Sequence, residues 1–547
     1  QIAAAENITT EKWSREILND KVGVINRLIN NVQRPVLKSY LEDVRDSATS
    51  LLESDDISDK DGIAMKRALD YAIKMANDIQ NAEDVNLWSE APFVMYEVPA
   101  LSPIFREIDV LPEDGTLGKE VNVISAQGEY EAASFILAPM RDTGNVTFEV
   151  SDLTGEAGTI PADSIDLRVV KYWYQGGTAW HSYFADTNRN VMVPELLLHD
   201  ESLIKVDREK EINYVRVDYP EGSQYVNIST NPAQNLSHFD APIEDSPVLL
   251  PVSLKQGESK QMWITTYVPK GTAAGLYTGN IKILADGKEV GTINLNIRVL
   301  PFELPDPKTN YDINKDFYTM IYYASRYSNY MISTNGNTKL VEDKLRNVYN
   351  NLYKHNVVNL PGPLLGRFYT DPNARQYFER QLQLMQEAGM KTDPLFCVYQ
   401  TFPTWSDWTV DVDKYKQELK DVFDYVTQVV GHTNIYFDSW DEAGWTRLQN
   451  QAVYWDYIQK ELGAKVYATG NDTHLELDVK ENFLNWAGEP TREKADAWHA
   501  FGEDKIITNY AYPHSGPENP DLTRQRHGMW LYKANYDATY NYIYYEG

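Results

Sequence analysis

The chain has 547 residues, and its 51 Lys and Arg against 80 Asp and Glu give a formal charge of −29. That balance argues against a nucleic-acid groove or an anionic membrane surface, both of which need clustered cations. A single cysteine, Cys397, excludes an intramolecular disulfide framework and any Cys-based zinc or iron–sulfur site. At roughly 100–200 residues per domain the length predicts three or four domains. The aromatic bias, 37 Tyr and 13 Trp against 16 Phe, favours rings with a polar edge, suited to half-buried strands and, at fewer positions, to stacking on sugars or peptides. No run of about 18 apolar residues occurs, so no membrane-spanning helix is expected. The chain begins at Gln1 without a basic-then-apolar leader, which reads as a processed or truncated product.

Residues 1–95 read as a helical region. Leu18, Val22, Ile25, Ile29 and Val32 form one apolar stripe, Pro35 kinks or interrupts it, and Leu37, Leu41 and Val44 resume it. Ser58 with Asp61 three residues on reads as the start of a further helix. The acidic run over residues 55–62 is not a calcium loop, because aligning Gly62 with the loop glycine puts Ile57 and Ala68 where oxygen ligands are required.

From 96 to 305 the apolar period becomes two, as expected of a β-sandwich region with many short strands. Residues 262–268, 281–284 and 293–299 read as strands, with Asp286-Gly287 as the hairpin turn between the last two. Pro301, Pro305 and Pro307 read as a stiff linker. Residues 306–547 then alternate strand and helix. Strands are expected at 316–323, 356–360, 394–399, 434–440, 465–469, 482–487, 505–510 and 539–545. Eight strands with helical crossovers predict a (β/α)8 TIM-like barrel lacking its last helix, so the natural protein is expected to continue past Gly547.

There is no Gly-x-Ser-x-Gly elbow, Walker loop or His-Glu-x-x-His, and the nine histidines never pair at helical ligand spacing, so no metal site is predicted. The informative segment is 434–443, where an apolar strand runs directly into Asp441-Glu442. Other acidic pairs occur, but this one falls at the carboxyl end of the fourth strand, where a barrel keeps its active site. Trp440 and Trp445 flank it and are expected to line a concave, ring-lined substrate pocket. On position alone a catalytic role competes evenly with a structural or solvated one.

The segment Tyr267-Val268-Pro269 through Gly275-Leu276-Tyr277-Thr278-Gly279 resembles a strand–turn–strand of family 123 glycoside hydrolases, where a Leu-Pro linker, here Leu304-Pro305, precedes a barrel. Asp441-Glu442 is similar to the family's adjacent Asp-Glu pair, and residues 526–533 resemble its late Arg…Gly…Trp helix. Ala443 stands where many relatives have proline, so the turn after the pair is expected to differ. The resemblance covers residues 100–547 and implies retaining hydrolysis of β-linked N-acetylhexosamine, N-acetylgalactosamine foremost, assisted by the substrate's own acetamide. It implies Asp441 as the anion that orients the acetamide and Glu442 as acid and base, with no metal or cofactor. Strand-end residues expected to line the sugar site are Tyr399 and Trp405 after the third strand, Trp486 at the sixth, and Asn509, Tyr510 and Tyr512 at the seventh. Tyr544 at the eighth completes the set, each competing with a role as a barrel-rim or core aromatic, and Arg367 after the second either holds an acidic substituent or sits in a surface ion pair.

The expected partner is an oligo- or polysaccharide containing amino sugars, acidic or sulfated in some cases. The expected location is periplasmic, secreted or on a bacterial cell surface. Two other readings stay open: a glycosidase on a non-acetamido sugar using Glu442 with a carboxylate from another strand, and a non-catalytic glycan-binding or assembly protein.

Overall fold

The computed structural model describes residues 12–84, 86–102, 104–176, 190–230, 243–304, 318–323, 326–357, 359–361, 365, 368–403, 411–510, 520–541 and 544. Among the described residues no helix is long and apolar enough to cross a membrane.

The N-terminal helix Arg15–Asn31 starts where Ser14 accepts the amide of Ile17, and it buries Leu18, Ile25, Leu28 and Ile29, much of the expected stripe. Pro35 does not kink this helix. It opens the next one, Pro35–Leu52, at a position where a missing N–H leaves no bond unmade. The third helix, Asp59–Gln80, is capped reciprocally: the Asp61 amide donates to Ser58 Oγ at 3.1 Å, and the Ser58 hydroxyl donates to Asp61 Oδ2 at 2.6 Å. The acidic run is this capped turn.

Among the described residues, the β region that follows contains three sheets. A six-stranded antiparallel sheet is ordered Thr116–Leu117, Phe93–Val98, Tyr130–Pro139, Lys260–Tyr267, Ile165–Gln175, Val191–Leu198. A seven-stranded sheet is centred on the hairpin Gly275–Ala285 and Lys288–Glu303, whose buried face carries Ile281, Ile283, Ile293, Leu295 and Ile297. Both turn residues of this hairpin, Asp286 (φ 50°) and Gly287 (φ 77°), are left-handed, the conformation a two-residue loop between twisted strands requires. Phe135 of the first sheet meets Phe148 of the second edge-on at 6.4 Å. A small sheet of Ile204–Asp207, Ile212–Tyr219 and Gly222–Asn227 completes the region.

In the 267–279 motif, the buried Tyr277 hydroxyl donates to the Ala273 carbonyl at 2.9 Å, and a side chain at Gly279 would come within 2.9 Å of the Asp152 carbonyl oxygen. Pro301 departs from the linker expectation. It lies inside the strand Lys288–Glu303, in the irregularity between the pairs Val299–Ser125 and Glu303–Gln127, where its absent N–H interrupts no regular ladder. Pro305 and Pro307 lie outside the described residues.

Contacts divide the molecule into two compact units, the first running from the N-terminal helices through these sheets and the second beginning after Pro305. Among its described residues the second unit has one parallel sheet of eight strands: β1 (Tyr318–Ile321), β2 (Asn359–Pro361), β3 (Lys391–Phe396), β4 (Tyr436–Asp438), β5 (Lys465–Gly470), β6 (Phe483–Ala487), β7 (Ile506–Tyr510) and β8 (Ala538–Asn541). The order is β3-β2-β1-β8-β7-β6-β5-β4, and parallel bridges Leu395–Ile435 and Gln400–Asp438 join the β3 and β4 segments at its two ends. Helices occupy the connections, except for the short turn Asp472–Glu476 between β5 and β6. Two contain π turns, Ile458–Leu462 continuing the helix Trp445–Tyr457, and Gln525–Met529 between Pro520–Arg524 and Trp530–Lys533.

One face of this sheet is aromatic. Phe396 stacks on Tyr436 at 4.6 Å, both meet Phe483 edge-on, and Tyr467 and Tyr540 join the same cluster. The other face presents Phe437, Val466, Leu484 and Ile507 to separate apolar clusters that include helical residues.

Candidate active site

The site grows out of β4 by simple alternation. Tyr436 points to the aromatic face and Phe437 to the helices, so Asp438 returns to the aromatic face one layer above Tyr436. Its backbone is tied to the segment after β3 through both polar groups, the amide donating to the Tyr399 carbonyl at 2.9 Å and the carbonyl accepting the Thr401 amide at 2.8 Å. Beyond the strand, the Ser439 amide donates to the Tyr467 carbonyl and the Glu442 amide to the Thr469 carbonyl, so the departing loop is tied to β5.

A buried polar network fixes the loop from behind. Gln451, fully buried on the helix Trp445–Tyr457, accepts the Trp440 amide at 2.8 Å and the Thr401 hydroxyl at 3.0 Å through Oε1, and the Trp455 indole donates to Thr401 Oγ1 at 3.2 Å.

Consecutive residues of an extended chain point to opposite sides. Here a turn covers Asp441 and Glu442, and Glu442 has a left-handed backbone with φ 44°. For a glutamate this conformation is uncommon, and such strain clusters at functional sites. Asp441 hydrogen-bonds Thr469 at the end of β5, while Glu442 Oε1 accepts the hydroxyl of Tyr510 at the end of β7.

The carboxyl groups differ in environment. Burial, reinforced by the Asp441 carboxylate and opposed by Arg326, raises the Asp438 pKa to about 7. Asp441 is exposed, yet partial desolvation and the neighbouring Glu442 carboxylate still raise its pKa, against the Thr469 hydrogen bond. Burial likewise raises Tyr322 and Cys397, and the Asp438 carboxylate adds to both, which identifies them as its neighbours on the aromatic face. Among the described residues no group of three or more His, Cys, Asp or Glu side chains could hold a metal ion.

The strand-end residues separate by face. Tyr510 is brought to Glu442. Trp445, 41 % exposed, opens the helix after the pair, whereas Trp440, 8 % exposed, packs on Phe402 under the Arg447 guanidinium. Four residues expected at the sugar site lie elsewhere. Trp486 is buried with Leu484 and Trp498 on the helical side of β6, because alternation from Phe483 turns it outward. The Asn509 amide donates to the carbonyls of Trp486 and Gly488 at 2.9 Å each. Tyr399 is buried in the strand–helix core and Tyr544 accepts from Asn351 at 2.7 Å on the helix Thr338–Lys354. Trp405, Tyr512 and Arg367 lie outside the described residues.

A family 123 glycoside hydrolase from Clostridium perfringens, studied for glycolipid glycan hydrolysis, superposes with a TM-score of 0.56 over 82 % of this chain and 78 % of its own, at 13 % identity. The chain has a glycoside hydrolase-like fold. A family 39 glycoside hydrolase from Bacteroides cellulosilyticus (TM-score 0.27, 10 % identity, 53 % of this chain and 66 % of its own) and a GH5 xyloglucanase from Bacteroides ovatus (TM-score 0.23, 7 % identity, 77 % and 92 %) overlap far less closely. No protein-family model and no curated protein matches the sequence. The architecture is mixed, with N-terminal helices, several sheets and the parallel eight-stranded sheet that carries the carboxylate cluster.

Sequence reasoning missed Asp438, together with Tyr322, Cys397 and Thr469 around it. The signal was present: counting alternation along β4 from Tyr436 puts the acidic residue, alone in an apolar strand, on the same face as the strand's aromatic side chain.

Proposed function

We propose that the chain is a glycoside hydrolase whose eight-stranded sheet is a (β/α)8 barrel, preceded by a β-sandwich, and which cleaves β-linked N-acetylhexosamine by a retaining, substrate-assisted route. The observation that carries the reading is the consecutive pair Asp441-Glu442 at the carboxyl end of β4, one member held by Thr469 and the other by Tyr510.

In this reaction the acetamide oxygen of the substrate forms a bond to the anomeric carbon as the bond to the leaving oxygen breaks, and Glu442 gives its proton to that oxygen. Asp441 accepts the acetamide N–H and balances the positive charge of the cyclic intermediate. Asp438, the more deeply buried of the two aspartates, holds the proton that like-charge repulsion would otherwise force onto Asp441. Water then attacks the anomeric carbon, Glu442 takes its proton, and the acetamide is released. The Tyr510 hydroxyl engages one oxygen of Glu442 and leaves the other for proton transfer. The extracytoplasmic location and the amino-sugar glycan substrate belong to this proposal.

The test is hydrolysis of an aryl β-N-acetylgalactosaminide. Glu442→Gln should abolish release, Asp441→Asn should lower it by about 100-fold, and a thiazoline mimic of the intermediate should inhibit the native protein. Full activity in either variant would refute the site assignment. Normal turnover without thiazoline inhibition would refute acetamide assistance.

A further inference from the structure

A polar cavity lies in the first unit, beside the paired strands Ile165–Gln175 and Lys260–Tyr267. Its volume is about 200 Å³, and four cationic side chains (Lys171, Arg208, Lys255 and Lys260) face two carboxylates, Glu201 and Glu258. A net charge of +2 in one pocket of a chain carrying −29 is a local inversion of the overall balance.

Both carboxylates are already committed. Glu258 takes Arg208 through two parallel bonds of 2.7 Å and Lys255 through a third. Glu201 accepts Lys260 at 2.6 Å and the Ser253 amide at 3.1 Å. Lys171 makes no ion pair or hydrogen bond through its ammonium to any described residue. Desolvation lowers its pKa, and Lys260 and Arg208 add to that effect against Glu201. The strand is irregular at this point: Lys171 pairs with Leu196 and Tyr172 with Pro194, so Glu195 of the neighbouring strand is an extra residue. Bulges of this kind re-aim side chains.

A desolvated ammonium that feels Glu201 only at a distance, with no carboxylate in contact, is unfavourable in the free protein and becomes favourable when an anion arrives. The rest of the lining combines the apolar Ile108, Met192 and Val206 with the polar Tyr172, Ser253 and Ser259, as a sugar ring with hydroxyls requires, and the volume exceeds what an inorganic oxyanion fills. We propose that this pocket binds a small organic anion of about monosaccharide size, carrying one carboxylate or sulfate group that is met by Lys171 and Lys260. The proposal is independent of the hydrolase reading.

The test uses the full chain and calorimetric titration at constant ionic strength with glucuronate, galactose 6-sulfate, glucose and inorganic sulfate. At least one of the two acidic sugars should bind saturably, and the stronger of them identifies the acid group. Glucose should not bind, and inorganic sulfate should bind at least tenfold more weakly. Lys171→Met should weaken binding at least tenfold without lowering the melting temperature of the free protein, and Lys171→Arg should keep it within threefold. Absence of saturable binding by both acidic sugars, equal binding by inorganic sulfate or glucose, or unchanged binding in Lys171→Met would overturn the proposal. So would a destabilised Lys171→Met whose lost binding Lys171→Arg does not restore.

Discussion

Replacing Asp438 with asparagine removes one ionisation from the aromatic face of the parallel sheet while keeping size and polarity. In the folded protein this carboxyl holds its proton to about pH 7, against an ordinary value of 3.8. At about 1.4 kcal/mol per pH unit, that difference corresponds to about 4 kcal/mol, and partial exposure of the side chain reduces it to roughly 2–4 kcal/mol. Between pH 4 and pH 7 the folded state binds a proton that the unfolded chain has released, so this group's contribution to stability falls as pH rises and is flat above pH 7. The asparagine side chain has no proton to lose. The stability difference between Asp438→Asn and the native protein should therefore move in favour of the variant by roughly 2–4 kcal/mol between pH 4 and pH 8. Urea denaturation at four or five pH values across that window measures it. A difference that stays constant, or moves against the variant as pH rises, would refute the placement of Asp438 as a buried proton holder beside Asp441.

Three further outcomes are expected. Tyr510→Phe removes the donor to Glu442 and should lower kcat about tenfold on the aryl substrate with KM little changed, read by steady-state kinetics. Glu442→Gly and Glu442→Ala should both be inactive, but the glycine variant should be the more stable by about 1 kcal/mol, because only glycine adopts φ 44° without strain; paired thermal melts decide it. Gln451→Leu strips the Trp440 amide of its buried acceptor and leaves the Thr401 hydroxyl only Ser439, and should cost about 2–3 kcal/mol in denaturant titrations, with reduced turnover of the aryl substrate as the loop carrying Asp441 and Glu442 loosens.

Most of the architecture was legible because it rests on local periodicity. Ser58 and Asp61 announced a helix start and Asp286-Gly287 a hairpin, and in each case the residue type is what the backbone there requires. The eight strands of the second unit were likewise expected near where they occur, since each is a short apolar run between helical patterns. Pro301 misled because a proline inside a strand is excluded only where the ladder is regular. The site was legible to the extent that Asp441-Glu442 follows a strand and Tyr510 ends another. Trp486, Asn509, Tyr399 and Tyr544 were placed by distance along the chain, which locates a strand end but not the face a side chain takes. Asp438 shows the opposite error, a residue whose face could be counted but whose isolation in an apolar strand attracted no attention.

The two π turns have a consequence for comparing this chain with others. A π turn is a helix that has absorbed one additional residue, here at the end of the helix that begins at Trp445 and between the two short helices that precede β8. Ile458–Leu462 and Gln525–Met529 lie just ahead of β5 and β8 respectively. An alignment that places no single-residue gap in either helix or in the short loop after it would enter the following strand one position out of phase. A slip of one exchanges the two faces of a strand, so Tyr467 and Tyr540 would be matched to residues that face the helices. At 13 % identity, correspondences for β5 and β8 are better anchored on which face each side chain takes than on the lengths of the preceding helices.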